Sequence, residues 1–567
     1  MHRLIVGGLV ALLAGALLIP AASSGPTQAT PRKYVVLYES DASLAAAHAA
    51  IAAAGGTIIE ENRAVGLASV RSANADFVAD ASAQAALFGA ASNRPIGTAG
   101  PARPHKFMEE RLQSERNSSK FRLALTGGAK EEEATPGGDF EPLAPLQWDM
   151  AMIHATKYES HSVQPGRKGV LVGVIDTGID GSQPDIAPNF DAALSRNFTT
   201  DIEDVDGPCA DEPDQSCSDP ADVDENSHGT HVAGTIAAAT NGLGIDGIAP
   251  NVTLVNLRAG QDSGYFFLQP SVDALTYAGD NGIDVVNMSY FIDPWLYNCK
   301  DNPADSPEAQ LEQRTIIEAT NRALRYAYKH GVTLVSALGN ENTDLGHPTI
   351  DEISPDYPPG SEYPRVVSNR CLNLPTEGHK VISVSALGPS TAKADYSNYG
   401  VEQTDVSAPG GYFRDYLGTE RFGTPGNLIL STYAENVARE IGDVDENGEP
   451  TNEFVLKSCK DDTCGYYTYF QGTSMASPHA VGVAALIVSE YGHRDRKHGG
   501  LTLDPDKVER ILLGSASDHA CPKPRLFSYA DVGRGPEYDA FCDGSTRFNG
   551  FYGNGIVNAY AAVLGDK

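Results

Sequence analysis

The sequence predicts a large α/β domain built on a doubly wound, mostly parallel sheet, preceded by a small α+β unit. Three observations carry this reading. Beyond residue 169, apolar runs such as "GVLVGVID", "VTLVNLRAG", "IDVVNMSY", "VTLVSALGN" and "KVISVSALG" alternate with helical patterns closed by glycine. Apolar strands separated by helices are the mark of right-handed βαβ crossovers, which cover both faces of a sheet. Ahead of them, "KYVVLYES", the Ala-rich "ASLAAAHAAIAAAGG" and "TIIEENRAVGLASVRS" read as a strand, a helix and a strand pair. A chain of 567 residues also exceeds one ordinary core, so more than one folding unit is expected.

Taken in order, the chain opens with Arg3, the apolar run Leu4 to Ile19 and then small residues, the layout of a secretory signal peptide over 1–29. The product is expected to be secreted and extracellular, with no membrane contact once the signal is cleaved. The small unit follows over 30–80, its helix closed by Gly55 and Gly56. Residues 81–143 mix Ala-rich, charged and Gly/Pro-rich pieces such as "GGAKEEEATPGG" and read as a protease-accessible linker. The large domain occupies 144–567.

A net charge of −32 argues against nucleic acid as a partner, because phosphates require a basic face. Eight cysteines in an exported chain point to disulfides. Short loops favour Cys209 with Cys217, Cys459 with Cys464 and Cys521 with Cys542, which leaves Cys299 with Cys371. The acidic stretch Asp201 to Glu225 reads as a surface insertion stapled by Cys209 and Cys217. Asp443, Asp445, Asn447 and Gly448 match the first half of an EF-hand loop, but Phe454 stands at the twelfth position, so a solvated acidic turn is expected.

The chemistry is concentrated in "GTSMASPHAVGVAALIVSE", residues 472–490. Gly482, Ala484 and Ala485 permit close helix packing, whereas Ser474 stands at the helix start, where unpaired amides carry partial positive charge and can hold an oxyanion. A neutral hydroxyl needs a base, and "HGTHVAG" offers His228 and His231. The base needs a carboxylate, offered by Asp176 at the end of "GVLVGVID". Asn340, after "VTLVSALG", offers a second oxyanion donor. Asp176 and Asn340 both follow strands, where ligands of such sheets bind.

"VIDTGID", "HGTHVAG" and "GTSMASPHAVG" resemble the three signatures of the subtilisin-like serine proteases, and "NMSY" and "GNEN" resemble the segments around their substrate strand and oxyanion Asn. The resemblance runs from about Trp148 to Ala562. It implies a subtilisin-like fold preceded by a ferredoxin-like propeptide domain, which acts as an intramolecular inhibitor and folding aid and is removed by cleavage between about residues 80 and 145. In the implied roles Asp176 orients, His228 is the base, Ser474 attacks, and Asn340 with the Ser474 amide holds the oxyanion, while His231 and Ser477 are structural. Ser289, Tyr290 and Phe291, with Arg258, Ala259 and Gly260, are expected to bind substrate. The Tyr-Phe-Ile run after Ser289 departs from the family's Leu-Gly-Gly edge, so a narrower or reshaped pocket is expected. The long separation of His228 from Ser474 implies insertions around 291–314, 341–377 and 411–465. A structural Ca2+ is implied on Asp185, the Asn241 side chain and the Leu243 and Ile245 carbonyls, although the family's N-terminal ligand is not identifiable. The whole implies a secreted, monomeric serine endopeptidase made as a zymogen and acting on protein or peptide substrates. An esterase with the same triad and an inactive peptide-binding homologue are the alternatives; the esterase elbow G-x-S-x-G is absent around Ser474.

Overall fold

The computed structural model describes residues 31–92, 141–211 and 215–565. The expected signal segment and most of the expected linker lie outside the described residues. The small unit comprises β1 (Arg32–Tyr38), α1 (Leu44–Ala53), β2 (Gly56–Asn62), β3 (Leu67–Ser72), α2 (Phe77–Ser82) and β4 (Leu87–Ser92). Its strands form an antiparallel sheet in the order β2-β3-β1-β4. The expected boundary at residue 80 is therefore corrected to Ser92. The last helix and strand escape a pattern reading because "ADFVADASAQAALFGAAS" is mostly alanine and serine, and β4 is a strand only through its pairing with β1.

The period of two along β1 gives this sheet two apolar faces. Tyr34, Val36 and Tyr38 pack with Ile51 of α1 and Phe77 of α2. Val35 and Leu37, with Leu67 and Ala91, join a core that belongs to the large domain.

After a short opening helix, Trp148–Met152, the large domain builds β5 (Leu171–Ile175) and β6 (Arg196–Asn197), then α3 (His228–Ala237), β7 (Thr253–Arg258) and α4 (Leu268–Asp280). It continues with β8 (Val285–Met288), α5 (Pro307–Lys329), β9 (Thr333–Ala337), β10 (Val381–Leu387) and β11 (Val406–Pro409). These strands make one seven-stranded sheet, β11-β10-β9-β8-β5-β7-β6, parallel throughout. Strand order reverses at β5, which lies between β7 and β8, so a crevice opens at its carboxyl end.

A second sheet follows from β12 (Ile429–Tyr433), β13 (Val455–Lys460) and β14 (Thr463–Phe470), with β14 central and antiparallel to both neighbours. β14 runs into α6 (Thr473–Tyr491), whose residues are buried from Thr473 to Ser489. On one face of the large sheet, Val172, Val174, Val285 and Val335 pack with Val232 and Ile236 of α3 and Ile487 of α6. On the other, Ile175, Val286 and Leu334 pack with Leu275 of α4 and with Ile316 and Leu324 of α5. All four expected disulfides are present. Among the described residues no helix is long and apolar enough to cross a membrane.

Gly482 shows why α6 is rich in small residues: a Cβ there would lie 2.6 Å from Ile248 Cβ. Gly482→Val is expected to lower the unfolding midpoint through an overpacking penalty of about 1–3 kcal/mol, measured by calorimetry in a Ser474→Ala background. An unchanged midpoint would contradict the packing described.

Candidate active site

β5 delivers Asp176 to the reversal point of the sheet, fully buried. Its Oδ1 lies 2.7 Å from His228 Nδ1 and accepts the Thr177 amide at 2.8 Å. Its main-chain carbonyl accepts the Ala259 and Gly260 amides, each at 3.0 Å. Burial pushes the Asp176 carboxyl above its ordinary range, opposed by His228 and by the Thr177 amide. A carboxylate that fixes Nδ1 leaves Nε2 as the nitrogen able to take a proton.

His228 opens α3, and the turn before it is organised by Asp224, which the motif reading passed over. Asp224 Oδ1 accepts the Asn226 and Ser227 amides at 3.0 and 2.8 Å, and Oδ2 accepts the amide and hydroxyl of Thr230 at 3.0 and 2.6 Å. These bonds hold Ser227 at φ 80°, a left-handed conformation unfavourable for a residue with a Cβ. Gly229 must be glycine, because a Cβ would come 2.1 Å from Gly178 O. His231 stacks on Phe470 at 4.6 Å, and its Nε2 faces the carbonyls of Ile429 and Thr468 at 3.1 and 3.2 Å. Burial drives its pKa down to about 3, so it is neutral. This stack ties the start of α3 to the strand that runs into Ser474, and α3 packs along α6.

Gly472 precedes α6 at φ 156°, a glycine conformation. Pro478 has no amide hydrogen, so the Ser474 carbonyl loses its helical donor. The Ser289 hydroxyl replaces it, donating to Ser474 O at 3.1 Å, while Ser474 Oγ lies 3.5 Å from Ser289 O. Behind Ser289, Asn287 Nδ2 donates to Ser289 Oγ at 2.9 Å, and the Ser477 hydroxyl donates to Asn287 Oδ1 at 2.8 Å. Asn340 lies just beyond β9, and its Oδ1 accepts both the amide and the hydroxyl of Thr473 at 2.9 Å. With its oxygen held there, the carboxamide turns its NH2 end away from Thr473. Asn287 and Thr473 stand inside the segments "NMSY" and "GTSMASPHAVG", but the part each plays is visible only through its contacts.

Of the residues expected to bind substrate, Ser289 is beside Ser474 as described, and Tyr290 lies flat on Phe266 with ring centroids 4.1 Å apart. Phe266 also presses on Gly260, where a Cβ would meet its ring at 2.5 Å. Phe291 is partly buried against the cluster around Cys299 and Cys371. Arg258 is a correction: it is fully buried, with its guanidinium 2.6 Å from each of Asp219 and Asp262. A guanidinium consumed by two buried carboxylates cannot meet a substrate. The acidic stretch is divided: Glu203, Asp204 and Asp222 are exposed as a surface insertion requires, whereas Asp201, Asp219 and Asp224 are buried.

Asp185 is buried and accepts from Asn241 Nδ2 at 3.0 Å, the Ile245 amide at 3.1 Å and the Tyr467 hydroxyl at 2.8 Å. Asn241 Oδ1 instead accepts the Leu243 amide at 2.9 Å, so this side chain presents nitrogen rather than the expected oxygen to Asp185. Glu141, assigned to the linker by sequence, is docked in the same place. Its Oε1 accepts the Gly242 amide at 2.9 Å and its Oε2 is buried without a hydrogen-bond partner. Burial raises the Asp185 pKa to about 7 and raises Glu141 as well. The Asp443 turn is satisfied internally, with Asp445 Oδ1 accepting the Asn447 and Glu449 amides at 2.9 and 2.8 Å.

A family model described as the subtilase family matches residues 167–555. Subtilisin DY of Bacillus licheniformis is 28% identical over 424 residues, covering 74% of this chain and 98% of the relative. The thermophilic serine proteinase of Bacillus sp. (strain AK1) is 30% identical over 329 residues, which are 58% of this chain and 54% of the relative. Among solved structures, the epidermin leader peptide processing serine protease EpiP from Staphylococcus aureus is similar in fold, with a TM-score of 0.59 at 21% identity, covering 95% of this chain and 100% of that one. Fervidolysin from Fervidobacterium pennivorans gives a TM-score of 0.55 at 22% identity over 96% of this chain and 62% of that one. With a matched segment that covers most of its length and contains Asp176, His228, Asn340 and Ser474, the chain belongs to the subtilase family of serine endopeptidases.

Proposed function

We propose that the protein is a secreted endopeptidase, made as a zymogen, that cleaves peptide bonds through Asp176, His228 and Ser474. The observation that carries this is the buried 2.7 Å contact between Asp176 Oδ1 and His228 Nδ1, at the start of the helix that packs along α6. His228 Nε2 takes the Ser474 proton as Oγ bonds to the scissile carbonyl carbon. The resulting oxyanion is held by the Ser474 amide at the positive helix end and by Asn340 Nδ2. His228 then gives the proton to the leaving amine, the C–N bond breaks, and an acyl-ester remains on Ser474. Water, deprotonated by the same nitrogen, releases the acid and restores the hydroxyl.

The small N-terminal unit fits a propeptide that inhibits in cis. Its outer face lies on α4 and α5, where Asn62 Nδ2 donates to Asp273 Oδ1 at 2.6 Å and Arg322 donates to Tyr38 O at 2.8 Å. Gly89 touches α5 so closely that a Cβ would fall 2.4 Å from Thr315 Oγ1. The apolar residues Val35 and Leu37 are shared with the enzyme core, so the separated enzyme exposes new apolar surface on these helices.

Asp185 and Glu141, with the carbonyls of the 241–245 loop, suit a structural calcium ion. Two buried carboxyls, one with an unpartnered oxygen, are a hard-oxygen donor set. Glu141 would supply the ligand that the motif reading left open. When bound, the ion would supply charge compensation that lets both carboxyls ionise, linking the first residues of the large domain to its 241–245 loop.

A fluorophosphonate probe is expected to label the mature enzyme at Ser474 and to abolish casein hydrolysis; labelling with ester turnover alone would favour the esterase, and neither would favour a binding protein. Asn340→Ala is expected to lower kcat on the order of 10²- to 10³-fold, a magnitude carried over from the family. The calcium reading is checked by calorimetry with and without a chelator. Asp185 titrates at about 7 in the folded, ion-free site, so the stability its proton confers is lost as pH rises toward that value. Calcium is therefore expected to raise the unfolding midpoint more at about pH 8 than at about pH 6. An unchanged midpoint at both would remove it.

A further inference from the structure

A second buried histidine–carboxylate pair joins the nucleophile helix, which carries His479, to the short helix that carries Asp149. His479 and Asp149 are both fully buried. His479 Nε2 lies 3.0 Å from Asp149 Oδ2, across a separation of 330 residues, and its Nδ1 lies 2.7 Å from Met475 O. The Met475 carbonyl can only accept, so Nδ1 donates to it and Nε2 is left facing the carboxylate. Among the described residues Asp149 Oδ1 has no hydrogen-bond partner, and His479 is the side chain hydrogen-bonded to this carboxylate.

We infer that Asp149 and His479 are positioning residues for Ser474, bracing the first turn of α6 against the segment that opens the large domain. This rests on the reading of Ser474 as nucleophile. Met475 follows Ser474 directly, and α6 is weakened at this point because Pro478 cannot donate to the Ser474 carbonyl. The turn that must present both Oγ and an oxyanion amide is therefore held by added contacts. Ser289 holds the Ser474 carbonyl at 3.1 Å from the sheet side, and His479, one turn further along α6 itself, links the Met475 carbonyl to Asp149 outside the helix.

The brace needs a fixed anchor, and Asp149 has one. Its short helix, Trp148–Met152, is tied down by Trp148 Nε1 donating to Leu428 O at 2.9 Å. Gln147 adds a two-way bond with Asp246, its Nε2 to Asp246 O at 2.9 Å and its Oε1 accepting the Asp246 amide at 3.0 Å. Removing one member of such a pair leaves an uncompensated buried polar group, whereas replacing both by apolar residues of similar volume is often neutral for stability. That difference separates positioning from mere support of the fold.

The test compares the full-length protein after maturation with Asp149→Asn and with the double variant Asp149→Leu/His479→Leu. For each, the rate of fluorophosphonate labelling at Ser474 is measured by mass spectrometry, beside kcat, KM and the unfolding midpoint. Asp149→Asn is expected to slow labelling and lower kcat by about 10-fold with KM within about twofold, as displacement of a reacting group does. The double variant is expected to return toward the wild-type midpoint while labelling and kcat stay low. Wild-type labelling rates in either variant would overturn the inference and leave Ser474 as nucleophile intact. If Asp149→Asn does not fold, the double variant decides alone. A wild-type protein that hydrolyses casein without labelling at Ser474 would remove the nucleophile reading and this inference with it.

Discussion

The structure turns on a carboxylate that has been taken out of water. Asp176 sits where the strand order of a parallel sheet reverses, with no exposed surface and with His228 Nδ1 2.7 Å from its Oδ1. Burial of that kind is unfavourable for the charged form unless donors converge on it. The large domain supplies those donors in the Thr177 amide and the His228 ring, and the ring is placed by a turn whose geometry is dictated by Asp224. The glycines at 229 and 472 and the small residues of α6 follow from the same demand, because helices on both sides must approach the crevice closely.

Around that centre the protein holds other buried charges by pairing them. Arg258 is neutralised by Asp219 and Asp262, and Arg365 by Asp305 and Asp351, with the guanidinium groups fully buried in both cases. Such pairs are specific rather than strongly stabilising. They fix the loops beyond β7 and the long insertion beyond β9, both of which flank the crevice. The stack of Tyr290 on Phe266 fills space beside the strand end at Gly260, which gives physical content to the departure of the Tyr-Phe-Ile run from the family's smaller residues.

Much of this was legible in the sequence because it is local. The alternation of apolar strands with helices, the small-residue helix after Ser474 and the short disulfide loops are properties of neighbouring residues. The rest is long-range. β4 is an alanine-rich segment that becomes a strand only beside β1. Arg258 precedes an Ala-Gly pair and reads as a substrate-binding residue until Asp219 of the acidic insertion and Asp262 close on its guanidinium. Glu141 is surrounded by linker-like sequence, and only the fold brings it to Gly242. The Asp149–His479 contact spans nearly the whole domain, and no spacing rule connects its members.

The central claim is that Asp176 acts through His228, holding the ring so that its other nitrogen serves Ser474. Its most direct test is kcat for the mature Asp176→Asn enzyme, with folding checked by the unfolding midpoint. An isosteric amide keeps the shape but fixes the wrong ring tautomer, so kcat is expected to fall on the order of 10⁴-fold in a folded protein. A folded Asp176→Asn enzyme within about tenfold of wild-type kcat would contradict the account.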